Sequence, residues 1–289
     1  MDLKPLVSVG LPTYNRPEGL EKTIKYLISQ DYQNLEILIS DNCSTNNNVK
    51  KVLEKYSSLD KRIVFFIQKE NIEIEPNFNF VFHKAAGKYF MWLADDDEFE
   101  SNYISKCVSF LETNLDYKLC SGIPTYYKNG NYIFKEKPIQ LSSNIAVFRI
   151  FKYFAKVYKN GVFYGVYRND MNFKSPIQKH IGGDWTHIAR VALLGKINVL
   201  EDVKCIRSDD GGSSSRSKIT SRWNFKGLQR VFLEPYISYS VAKYLFNEKI
   251  VKDKYPILAR TTIQIFIFTL LNLKFLLNSI NKRVFKTLK

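Results

Sequence analysis

At 289 residues, with 45% hydrophobic and 15% aromatic side chains, the chain can bury a substantial core and is too apolar to be disordered. Its 43 Lys and Arg against 28 Asp and Glu leave a net charge of +15, which points to an anionic partner: a nucleotide, nucleic acid, a lipid phosphate or an acidic membrane face. Cys43, Cys107, Cys120 and Cys205 stand without C-x-x-C spacing, which suggests neither a zinc site nor a disulfide framework and suits reduced thiols in a cytosol. The apolar run before Pro12 is too short for a secretory signal, so no export is expected.

From the N-terminus, "LVSVGLPTYN" reads as an apolar strand ending in a Pro-Thr-Tyr-Asn turn. "RPEGLEKTIKYLISQ" reads as a helix with Leu20, Ile24, Leu27 and Ile28 at helical spacing and Pro17 in its first turn. "LEILISDNCS" is a second strand ending at Asp41, "NNNVKKVLEKYSS" a second helix and "RIVFFIQ" a third strand. "NFNFVFHKAAG" reads as a helix closed by Gly87, and "KYFMWLA" as a fourth strand that runs into Asp95-Asp96-Asp97. Alternating strands and helices with near-continuous apolar strands predict an α/β domain with a mostly parallel sheet covered on both faces. In such sheets ligands bind beyond the carboxyl ends of the strands. Polar clusters Thr13-Tyr14-Asn15, Asp41-Asn42 and Asp95-Asp96-Asp97 all fall at that edge.

The second half is patterned differently. "SNYISKCVSFLETN" predicts a helix, "KLCSGIPTYYKNGNYIFKEK" a hairpin and "NIAVFRIFKYFAKVY" another helix. "VFYGVYRND" reads as a strand, "DWTHIARVALLG" as a helix closed by Gly195, and "KINVLEDVKCIRS" as a final strand. The segment "DDGGSSSRSKITSRW" is polar, rich in Gly and Ser, and reads as a mobile loop; the rest of the chain, to Lys289, is mostly helical and basic. Within that region, Thr261 to Ile280 is strongly apolar, but Gln264, Asn272, Lys274 and Asn278 fall on one half of the helix, which favours an amphipathic helix over a membrane span.

Clustered carboxylates repel one another unless a cation neutralises them. An Asp-x-Asp at a strand end suits a hard divalent ion bridging to a nucleotide diphosphate, and the competing reading is an acidic turn capping the next helix. The stretches "VSVGLPTYNRPEGLEKTIKYLISQDYQNLEILISDNCSTNN" and "NFNFVFHKAAGKYFMWLADDDEF" together resemble a family 2 glycosyltransferase of the GT-A fold, in register from about Val7 to Asn114.

That resemblance implies an inverting, nucleotide-sugar-dependent transferase of bacterial surface glycans. It places Pro12, Tyr14 and Asn15 in the first nucleotide-contacting loop, Asp41 on the base or ribose, Asn79 in the nucleotide pocket, and Asp95 and Asp97 on the donor and on Mn²⁺ or Mg²⁺, with Asp96 between them on the nucleotide-sugar side. Inversion also needs a base on the acceptor side. Asp184 of "HIGGDWTHIARVALLG" stands where the family carries its catalytic acid, although Gly183-Asp184 departs from the Glu-Asp form; its competing reading is a helix N-cap. Many relatives carry a metal-binding histidine near "CIRSDDGG", and this chain offers only Asp209 and Asp210 there. Arg216 and Lys218 in the loop suit closure on the diphosphate, or simply solvent. Trp185 suits an acceptor sugar or the core, while His180 and His187 read as structural.

The resulting expectation is a GT-A catalytic domain over 1–222, with a nucleotide-sugar half over 1–114 and an acceptor half over 115–222, followed by a helical basic tail over 223–289. The expected partners are a nucleotide-sugar donor, with a UDP-sugar favoured, and a glycan or lipid-linked acceptor. The tail suits an anionic membrane surface or a second subunit, which leaves a homo-oligomer open, and the expected location is the cytoplasm or the inner face of its membrane. The positive residues are dispersed and no nucleic-acid-binding motif is present, so nucleic acid is not an expected partner. The alternatives are a non-catalytic nucleotide binder and a basic nucleic-acid-binding protein.

Overall fold

Strand "YFMW" shows why the sheet is central: Tyr89 and Met91 point into one apolar layer, Phe90 and Trp92 into the other, and all four are fully buried. Neighbouring strands repeat the pattern, with Ile37 and Ile39 in the first layer and Leu38 in the second. The computed structural model describes residues 4–128, 130–208 and 216–287, and the side chains of all of these except 216, 229 and 281–287.

In chain order the elements are β1 (Val7–Thr13), α1 (Pro17–Ile28), β2 (Leu35–Asp41), α2 (Asn47–Leu59), β3 (Ile63–Ile67), α3 (Ile74–Lys84) and β4 (Tyr89–Trp92). There follow β5 (Glu98–Phe99), α4 (Tyr103–Thr113), β6 (Tyr117–Lys128), β7 (Asn131–Lys135), α5 (Ala146–Lys156), a 3₁₀ turn (Gly161–Tyr164) and β8 (Val166–Arg168). The last part holds α6 (Gly183–Leu194), β9 (Lys196–Ser208), α7 (Arg216–Arg222), α8 (Leu228–Val231), α9 (Leu233–Tyr244), α10 (Lys249–Lys252) and α11 (Ile257–Thr287).

The strands form one sheet in the order β3-β2-β1-β4-β8-β6-β9-β5, with β7 paired to β6. β3, β2, β1 and β4 are mutually parallel, and β8 joins β4 to β6 antiparallel to both. The α/β architecture with a mostly parallel first half is therefore as expected. One layer packs Leu20, Ile24, Val49, Leu53, Ile104 and Val108 from α1, α2 and α4 on the sheet. On the opposite face, α3, α5, α6, α9 and α11 pack around Trp92.

Several boundaries differ from the sequence reading. β1 runs through Pro12 to Thr13, so the turn begins only at Tyr14. Pro12 is tolerated in this inner strand because its nitrogen faces the side of β4, whose pairing ends at Gly10 opposite Trp92. α3 starts at Ile74 and ends at Lys84, so Gly87 does not close it. Between the acid triplet and α4 stands an unexpected short strand, β5, whose Glu98 and Phe99 pair with Ile206 and Cys205 of β9. The expected strand over 162–170 is a 3₁₀ turn followed by three strand residues, because Val162 and Phe163 fill the core from a turn rather than from a pleat. Arg216–Arg222 is helical, not loop, while Asp209 and Asp210 lie outside the described residues.

Candidate active site at the carboxyl edge of the sheet

Parallel pairing places the carboxyl ends of β1, β2 and β4 at one edge, with Thr13 opposite Asp41. Asp41 is buried and accepts from the Ser44 amide at 3.2 Å and the Ser44 hydroxyl at 2.5 Å. Asn15, at φ 55°, adopts the left-handed region that Asn tolerates, and its Oδ1 accepts from the amides of Thr45 (2.8 Å) and Asn46 (3.0 Å). Asn15 thus ties the first loop to the second. Tyr14 beside it is 42% exposed at the mouth of this edge, whereas Pro12 is buried in β1.

The acid triplet after β4 closes on the same edge. Asp95 accepts from the Thr13 hydroxyl at 2.8 Å and from Arg16 Nη1 at 3.0 Å, and the same Arg16 nitrogen lies 2.8 Å from Asp96 Oδ2. Burial pushes the Asp95 carboxyl up, against the pull of Arg16 and Thr13. Asp97 points inward, with its side chain 1% exposed and Oδ2 at 3.1 Å from Arg207 Nη2. Burial raises Asp97 to about 7, against the pull of Arg207. The Arg207 guanidinium lies in turn over the Tyr164 ring, 3.8 Å from its centroid.

Hard carboxylate oxygens suit a divalent cation, and the buried Asp97 carboxylate, with only Arg207 paired to it among the described side chains, fits such an ion. Among the described residues no three His, Cys, Asp or Glu side chains converge on one point, and Arg207 is the cation facing Asp97.

At the start of α6, Gly182 at φ 82° is the N-cap, so Asp184 is not the cap; it lies in the first helical turn, half-buried. Asp184 Oδ2 accepts from Asn160 Nδ2 at 2.9 Å, and Asn160 Oδ1 accepts from the Tyr153 hydroxyl at 2.7 Å. Burial raises the Asp184 carboxyl, while Asn160 and the first-turn amides work the other way. Asn160 opens the 3₁₀ turn and Tyr164 closes it, so one turn joins the Asp184 network to the Arg207–Asp97 pair.

A further buried carboxylate, Glu136, accepts from the Tyr126 hydroxyl at 2.7 Å and the Gly161 amide at 3.2 Å. It lines a cavity of about 250 Å³ with Phe134, Lys135, Lys137, Lys156 and Tyr158. Asn79 lies in a different cavity, of about 260 Å³, and both ends of its amide bond the backbone of Ile177 (2.7 and 2.9 Å). Trp185 stacks on Phe275, 6.3 Å between centroids. His180 stacks on Tyr244, and His187 lies inside an aromatic cage. Arg222 of α7 pairs with Glu75 rather than with the acid triplet.

Arg16, Arg207, Asn160 and Tyr164 were not singled out in the sequence. Arg207 carried a signal: Val203, Cys205 and Arg207 alternate along β9, and an arginine at an inward position implies a buried acid.

The model for "Glycosyl transferase family 2" matches residues 8–180, which takes in the acid triplet and ends just before Asp184. A Campylobacter jejuni protein named GalNAc(5)-diNAcBac-PP-undecaprenol beta-1,3-glucosyltransferase is 31% identical over 171 residues, 58% of this chain and 53% of its own length. The chain spans about half the length of the curated relatives it matches. Among solved structures, S. aureus TarS 1-349 in complex with UDP-GlcNAc superposes with a TM-score of 0.61 at 17% identity, covering 89% of this chain and 70% of that one. The mannosyltransferase PcManGT from Pyrobaculum calidifontis, in complex with GDP-Man and Mn²⁺, gives 0.56 at 12% identity, covering 94% and 87%. These likenesses show the GT-A fold. With more than half its length matched by the family model, the chain belongs to glycosyltransferase family 2.

Proposed function

We propose that the chain is an inverting glycosyltransferase that moves a sugar from a nucleoside-diphosphate sugar to a hydroxyl of a glycan or lipid-linked acceptor in bacterial surface polysaccharide synthesis. The observation that carries this reading is the acid edge of the sheet, Asp41 and Asp95 to Asp97, joined through one 3₁₀ turn to the half-buried Asp184. A UDP-sugar is the favoured donor, supported by the likeness to TarS with UDP-GlcNAc, and the Campylobacter relative supports a lipid-linked acceptor.

In this reading Asp41, Tyr14 and the loop held by Asn15 line the nucleoside side, and Asp95 and Asp97 would hold Mn²⁺ or Mg²⁺. Such an ion, when bound, neutralises charge on the departing diphosphate. The acceptor oxygen attacks the anomeric carbon, the bond from that carbon to the diphosphate breaks, and the hydroxyl proton passes to Asp184. A raised pKa suits Asp184 to a base, and the Asn160 bond fixes its orientation.

The test is a thermal-shift screen of UDP-, GDP-, CMP- and dTDP-sugars with and without Mn²⁺, on the wild type and on Asp184→Asn. A UDP-sugar should stabilise both proteins equally with Mn²⁺, while transfer by the variant falls by about 100-fold or more. Wild-type turnover in the variant removes Asp184 as base, and no stabilisation by any nucleotide sugar overturns the donor reading.

A further inference from the structure

Helix α11 is apolar on two sides, one packed in the core and the other facing out. Its inward polar groups bond to the body: Gln264 Nε2 donates to the Ala242 carbonyl at 2.9 Å, and Lys274 Nζ donates to the carbonyls of Phe154 (3.0 Å) and Val157. Its outward face carries Ile265, Leu273, Leu276 and Leu277, with Ile265 63% exposed and Leu277 60%. Helix α5 continues this face: Phe148 is 61% exposed, and Phe151 stacks on Phe266 with centroids 4.7 Å apart. The two helices therefore present one contiguous apolar surface, a feature that soluble chains rarely leave open.

The two helices that form that surface carry no acid in their sequence. In sequence, Lys254 to Lys289 contains no Asp or Glu; among the described side chains of α11 the cations are the half-buried Arg260 and Lys274, the latter bonded inward. α5 likewise has no acid, and its exposed face adds Lys152 and Lys156 beside Phe148 and Phe151. Residues Ile257–Ile280 are long and apolar enough to cross a bilayer, with a mean hydropathy of 1.6. Yet Ile263, Ile267 and Leu271 are buried in the core of the domain, and Gln264 and Lys274 are bonded to it, so α11 lies along the body rather than projecting from it.

We propose that the α5–α11 face docks in the plane of an anionic lipid surface, with the apolar ridge entering the acyl boundary and the flanking lysines meeting the lipid phosphates. A neutral protein partner would not require acid-free helices with exposed lysines, and a spanning helix would have to detach from the core. Lipid docking by this face involves none of the residues placed on the donor, the acceptor or the catalytic step.

Flotation of the full chain with vesicles of phosphatidylcholine, alone or mixed with phosphatidylglycerol, tests it. The protein should float with the mixed vesicles at low salt and several-fold less with phosphatidylcholine alone or at high salt. The double variant Phe148→Ser with Leu277→Glu should keep its circular-dichroism melt and lose about tenfold or more of vesicle binding. If that variant does not fold, Lys152→Glu with Lys156→Glu, confined to the exposed face of α5, should still lower binding to the anionic vesicles. Wild-type protein that stays unbound in every mixture overturns the proposal, as does undiminished binding by the folded variants. A dimer seen by light scattering that the variants dissolve, without vesicle binding, assigns the face to a second copy instead.

Discussion

His187 is enclosed by Trp92, Phe163, Tyr167 and Phe173, with Nδ1 3.0 Å from the Pro176 carbonyl, and burial pushes it down to about 3. His180, stacked on Tyr244, is lowered to about 4 by burial. Both are neutral in the folded state, which agrees with their reading as structural groups. Unfolding releases them to take a proton near pH 6.5, so their stabilisation is present above that value and lost as pH falls towards 3. The raised carboxylates Asp95, Asp184 and Glu136 act with the opposite sign, so the comparison has to isolate one group. Between pH 7 and about pH 4.5 the wild type should lose roughly 2–3 kcal/mol more than His187→Gln, read by urea unfolding at both values; equal losses would refute the assignment. Arg207 was only partly legible in the sequence. Its inward register on β9 was readable from the alternation, but its partner Asp97 is 110 residues earlier in the chain and no local pattern names it.

Among the elements, α1 and β4 are the pair on which the acid edge depends. Gly19 in the first turn of α1 faces the Asp95 carbonyl so closely that an added Cβ would stand 2.3 Å from that oxygen. Gly19→Ala must therefore move either the helix or the acid triplet. A loss of about 1–3 kcal/mol is expected, together with weaker donor-induced thermal stabilisation. Wild-type melting and donor response in that variant would show that the contact is relaxed in solution. β1, β2 and β4 were legible because burial on both faces makes each a near-continuous apolar run whose end is marked by a polar cluster, while the edge strand β3 was legible from its β-branched and aromatic composition although Val64 and Ile67 are exposed. The segment 162–170 was not, since a turn that buries Val162 and Phe163 has the same composition as a strand that buries them. The four interrupting polar residues of α11 do not form one solvent face: Gln264 and Lys274 bond the protein, and Asn278 is exposed. Spacing alone did not say that Gln264 and Lys274 would face the protein.

Across the whole molecule, the helices set apart in sequence as a basic tail share a core with the rest of the chain. Val241, Leu245, Ile263, Ile267 and Leu271 pack with Trp92, Ile188 and Leu193. Ending the chain after Lys254 removes three fully or nearly fully buried side chains of α11, each worth about 1.5–3 kcal/mol, from a total stability that is typically about 5–15 kcal/mol. Such a truncation should aggregate or melt without cooperativity, and a shortened protein with the wild-type melting temperature would overturn that expectation.

By itself, the sequence determined the α/β class, the parallel first half of the sheet and the acid edge, because burial on two faces and a strand's abrupt polar end are local properties of the chain. "YFMWLADDDE" carries both signals within ten residues. Only the tertiary structure decided that Arg16 and Arg207 face the acid triplet, that one turn joins Asp184 to it, and which way α11 turns its apolar face. Those are contacts between segments far apart in sequence, and their partners are selected by packing, which no periodicity records.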